Sequence, residues 1–164
     1  MAVQTHRGRV LAGANDRGIR PIDRRSERGA VAVEFALILP LMLMLILGII
    51  EFGFGYHAWD STQNGVREGA RLAAVDPSQT NIEARVRGAS SFLDQANLTV
   101  VIECAPAGST MFTACPASVD WDVGDIVRIT SSYSYDYITP LPGFVGLGAN
   151  MSMTSRAEAR FEGQ

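Results

Sequence analysis

The run Gly29–Glu51, GAVAVEFALILPLMLMLILGIIE, is apolar except for Glu34 near its start and the glutamate that closes it. About 20 successive apolar residues form a helix long enough to cross the hydrocarbon core of a bilayer. In a chain of 164 residues, such a span leaves room for one small domain of roughly 100 residues. A carboxylate among lipid tails costs on the order of a few kcal/mol. Glu34 therefore needs either a cationic partner or a position from which it reaches the interface, close to the positive end of the helix dipole.

The net charge of −3 conceals an asymmetry. Residues 1–28 hold seven arginines and three acids, whereas residues 29–164 hold seven arginines and fourteen acids. Positive charge beside a span stays on the cytoplasmic side. The expected layout is an Arg-rich, disordered cytoplasmic leader over 1–29, a transmembrane helix over 30–52 and an exported domain over 53–164. In a bacterial cell this is a single-pass protein of the inner (cytoplasmic) membrane with its C-terminal part extracytoplasmic. The exported part carries no basic surface interleaved with aromatics, which argues against nucleic acid as a partner.

A cleaved secretory signal has a shorter apolar core and a small-x-small site after it. Here Glu51, Phe52, Gly53, Phe54, Gly55 and Tyr56 follow, without that pattern. A retained span fits better, and Phe52, Phe54, Tyr56 and Trp59 suit the headgroup level. Ala32 and Ala36 form a small-xxx-small pair that lets another helix approach, and Pro40 is of a kind tolerated in membrane helices.

The stretch Arg24-Arg25-Ser26-Glu27-Arg28-Gly29, followed by Ala30-Val31-Ala32-Val33-Glu34-Phe35, resembles a type IV prepilin N-terminus. With Pro40, Glu51-Phe52-Gly53 and Arg67…Arg71-x-Ala73-Ala74, it is similar to the TadE-like proteins of tight-adherence (Flp-type) pilus and secretion systems. The resemblance covers roughly residues 28–75. It implies that a prepilin peptidase cuts between Gly29 and Ala30, and that Glu34, beside Phe35, pairs with the terminal amine of a neighbouring subunit. Implied partners are the membrane, other pilins or pseudopilins, pilus assembly platform proteins and that peptidase. Ala30 stands where type IVa pilins carry phenylalanine, and Pro40 comes earlier than their proline, so the likeness is to a minor pilin or pseudopilin.

Beyond the span, the helix is expected to run to about Val75, with Val66, Ala70 and Ala73 on one face and Arg67, Glu68 and Arg71 on a solvated one. Gly53, Gly55, Gly65 and Gly69 each cost roughly 1 kcal/mol there, compatible with close packing or with local melting. Asp76-Pro77 breaks the helix. A second helix is expected over Ser78–Gln95, with Thr80-x-x-Glu83 as a capping box and Ile82, Val86, Ala89 and Leu93 as its apolar stripe. From Leu98 the period becomes two: Leu98–Cys104, Ile126–Tyr137 and Met151–Glu162 alternate as half-buried antiparallel strands do. The fold class expected is α+β, a single transmembrane helix extended into a small pilin-like domain with a second helix and about three strands. The apolar, turn-rich segment 138–150 reads either as a partner-binding loop or as one packed on its own domain.

Cys104 and Cys115 flank a short polar loop and read as a disulfide in an exported domain; free thiols or a redox pair are the alternatives. No histidine lies near them to complete a metal site. No GxSxG, HExxH or phosphate loop is present, so neither catalysis nor a cofactor is expected. His57 reads as an interfacial polar side chain. Asp120, Asp122 and Asp125 lack the glycine and terminal glutamate of an EF-hand and read as loop acids rather than a calcium site. The function expected is support of pilus assembly. The alternative is an uncleaved, membrane-anchored binding or scaffold module of the cell envelope.

Overall fold

A computed structural model describes residues 24–115 and 121–163. Residues 1–23 of the expected 1–29 leader, and Asp120, lie outside the described residues. The described residues fall into two units, divided between Leu39 and Pro40. The element order is α1 (Arg24–Ala73), α2 (Gln79–Ala89), β1 (Leu98–Ala105), β2 (Thr113–Ala114), β3 (Ile126–Asp136), α3 (Leu141–Phe144) and β4 (Asn150–Arg160).

Helix α1 is 50 residues long and changes character along its length. In the first unit every described side chain from Gly29 to Leu39 is exposed, although the segment is almost wholly apolar. The apolar part contains an 18-residue window of mean hydropathy 2.7, none of it buried. By length and composition this is a candidate membrane span. The helix begins at Arg24, so the residues just before Gly29 are helical.

In the second unit a buried stripe appears along α1 at Glu51, Gly55, Ala58, Thr62, Val66, Gly69 and Ala73. Steps of three and four keep these residues on one helical face, and that face packs on a sheet. The sheet order is β2-β1-β3-β4, and every pairing is antiparallel. Register aligns Ile102, Ile129 and Ala157 on one face and Leu98, Tyr133 and Met153 further along it. One core cluster joins Val66, Ala70 and Ala73 of α1 to Ile82 and Val86 of α2 and to Val127 and Ile129 of β3. A second joins Ala58, Leu93, Leu98, Tyr133, Tyr135 and Met153. The opposite sheet face is polar, and Arg128 Nε there donates to Glu158 Oε1 at 2.8 Å.

Gly65 and Gly69 serve close packing, whereas nothing lies within 4 Å of a Cβ on Gly53. A methyl at Gly65 would lie 3.1 Å from the Val86 carbonyl oxygen and collide with Ser90 Oγ. At Gly69 it would collide with Val86 and stand 3.2 Å from Ile129 Cδ1. Two buried polar bonds fix the same contacts: Ser90 Oγ donates to the Ser61 carbonyl at 3.1 Å, and Thr62 Oγ1 shares a bond with Ser155 Oγ at 2.7 Å.

Three expectations need correction. First, the N-cap of α2 is Ser78, whose hydroxyl accepts from the Asn81 amide, and not Thr80; Glu83 instead pairs with Arg87 at 2.9 Å. Second, α2 ends at Ala89, short of Gln95, and Ala89 is exposed. Ser90 turns inward, and the Gln95 side chain donates to the carbonyls of Ser90 and Leu93, which a continuing helix would engage itself. Leu93 is still buried, through the turn that follows. Third, the sheet has four strands, because the two-residue β2 pairs with the end of β1.

Candidate functional site

The side chains singled out near the start of α1 are presented to the surroundings. Nothing lies within 4 Å of a Cβ placed on Gly29, and Ala30 and Glu34 are exposed. Phe35 is 59% exposed. Among the described residues no ion pair or hydrogen bond engages the Glu34 carboxylate. Glu34 and Phe35 thus share a bare apolar helix surface, with one acid in it.

The second carboxylate of the apolar run behaves oppositely. Glu51 is buried, and its two oxygens take three donors: the Tyr135 hydroxyl at 2.9 Å, the Ile138 amide at 3.1 Å and the Thr139 amide at 2.7 Å. A buried carboxylate is tolerated when its lone pairs are filled in this way. Burial, and then the acceptance of its hydrogen bond by Glu51, pushes the Tyr135 phenol well above its ordinary value. In the sequence Glu51 stands as the end of the span and as part of the Glu51-Phe52-Gly53 likeness, with no inward role. Its place on the stripe with Gly55, Ala58 and Thr62 is the signal that it faces inward.

Around this carboxylate lies an apolar cavity of about 460 Å³, open on one side. Phe52, Tyr56 and Trp59 form its helix wall, Tyr137 and Met151 its sheet wall, and Leu141, Val145 and Leu147 its loop wall. His57 is exposed at this level and stands 4.1 Å, ring to ring, from Phe92. The 138–149 segment is tethered through Glu51, yet Phe144 remains 80% exposed.

Cys104 and Cys115 form a disulfide, with Cα atoms 5.2 Å apart, across the β1–β2 end of the sheet. Cys115 belongs to the core with Trp121 and Phe161. Asp125 accepts from the amides of Ala107 and Asp122, at 3.1 and 3.2 Å, so it holds a turn together. Among the described residues no cluster of His, Cys, Asp or Glu could hold a metal ion.

These observations define a class: an α+β protein with one long N-terminal apolar helix, a candidate membrane span, whose far half packs on an antiparallel sheet. Within that class, residues 29–71 match the family model described as TadE-like protein. That family is a pilus-associated, structural one. No curated protein and no solved structure matches the chain significantly.

Proposed function

We propose that this protein is a minor pilin or pseudopilin that supports assembly of a tight-adherence pilus or its secretion system from the inner membrane. Residues 1–29 serve as a cytoplasmic leader, α1 crosses the bilayer from Ala30 to about Phe52, and the domain from residue 53 onward is extracytoplasmic. A prepilin-type peptidase cleaves between Gly29 and Ala30. Assembly proceeds by lateral association of apolar helices, with Glu34 accepting the terminal amine of the next subunit and Phe35 packing beside it.

One observation carries this reading. The TadE-like match, over residues 29–71, takes in the Gly-x4-Glu-Phe pattern and an apolar helix that is exposed from Gly29 to Ile46. Its one acid has no partner among the described residues. A carboxylate placed in lipid with no partner among those residues is stabilised by a cation supplied from beyond them.

Glu34→Leu tests the assignment in cells. Removing a charge from the span leaves insertion intact or improves it, so the variant is expected at normal level in membranes with pili lost or strongly reduced. Normal piliation would show that Glu34 merely reaches the interface, and would favour the uncleaved anchor.

A further inference from the structure

We infer that the loop 138–149 is a second membrane-docking element, seated in the lipid interface beside the point where α1 leaves the bilayer. This rests on the reading that α1 crosses a membrane. The loop sequence ITPLPGFVGLGA contains no charged residue, and none occurs between Asp136 and Arg156. Ile138, Phe144, Val145 and Leu147 are 59, 80, 58 and 56% exposed. Four large apolar side chains exposed along one short loop mark a binding face.

Its height along α1 identifies the occupant. Glu51 holds the amides of Ile138 and Thr139, fixing the loop to the last turn of the apolar run. Leu141 lies deeper still: its Cδ2 would stand 3.6 Å from a methyl on Gly48, one turn inside that run. At a rise of about 1.5 Å per residue, Gly48 is roughly 4.5 Å further into the apolar segment than Glu51. The loop therefore continues the lipid-facing surface of α1. Exposed Phe52, Tyr56 and Trp59 neighbour it, as aromatic side chains do at a headgroup boundary. The Glu51 carboxylate, at this boundary, is shielded by donors drawn from the loop itself.

The test uses the full chain in liposomes of zwitterionic and anionic phospholipid. Single nitroxide labels are placed by Phe144→Cys, Leu147→Cys, Leu43→Cys (in the span) and Arg156→Cys (on the open sheet face). Two loop positions guard against one label perturbing the fold. The expected result is an oxygen-to-nickel accessibility ratio at both loop positions several-fold above that at 156 and approaching that at 43. A lipid-like value at 43 with water-like values at 144 and 147 would overturn the loop inference and leave the anchor standing. Water-like values at 43 would overturn both. Loop labels shielded from both reagents, with dipolar broadening that vanishes on dilution with unlabelled protein, would assign the face to a second copy and refute lipid docking.

Discussion

Tyr135 donates a hydrogen bond of 2.9 Å to Glu51, joining β3 to α1 across 84 positions of sequence. The same carboxylate holds the backbone of Ile138 and Thr139, so one side chain ties helix, strand and loop together. Tyr135→Phe removes a single bond to a charged acceptor, worth about 1.5–3 kcal/mol. Glu51→Leu also strands two amides and a phenol, and should cost more than Tyr135→Phe. Denaturation of the detergent-solubilised variants checks the order. Limited proteolysis should show 138–149 cut faster in Glu51→Leu alone.

Tyr135 should also betray itself on titration. Burial, followed by the Glu51 contact, raises its phenol above the ordinary value of 10.0. The folded state thus holds the proton more tightly than the unfolded state. The stability this contributes is complete below pH 10 and is lost as pH rises toward the folded value. Ultraviolet difference titration should find a late-ionising tyrosine that is missing from Tyr135→Phe.

Gly69 of α1 and Gly88 of α2 should respond in opposite directions to alanine. Gly69→Ala forces a methyl against Val86 and Ile129, and overpacking of this kind costs about 1–3 kcal/mol. Gly88, exposed in α2, has nothing within 4 Å of a Cβ. Gly88→Ala should stabilise by up to about 1 kcal/mol through helix propensity. Chemical denaturation of both variants measures the signs.

Reduction of the Cys104–Cys115 disulfide should lower stability by roughly 3 kcal/mol, the chain-entropy value for a short closed loop. Cys104→Ser should reproduce the loss without reductant. An unchanged unfolding midpoint in either case would contradict a structural role.

The parts of the fold set by local pattern are readable from the chain. Alternation in 126–137 and 151–162 arises because one sheet face must meet two helices, and β3 indeed buries Val127, Ile129, Tyr133 and Tyr135. The apolar run predicts an exposed helix for the same kind of reason. What escapes the sequence depends on distant partners. Strand β2 has only two residues and no period of its own; it exists by pairing with Glu103 and Cys104. Helix α2 stops where Ser90 finds the Ser61 carbonyl, a bond spanning 29 positions. Glu51 looks like a polar full stop until Tyr135 and the loop amides arrive from 84 or more positions away.

The most direct test of the pilin-like account is the N-terminus of the protein recovered from membranes, by intact mass and terminal sequencing. The account predicts a chain that starts at Ala30, freeing an amine beside the acid of a neighbouring subunit. A membrane population that retains the arginine-rich leader through Gly29 would contradict it and leave an anchored module instead.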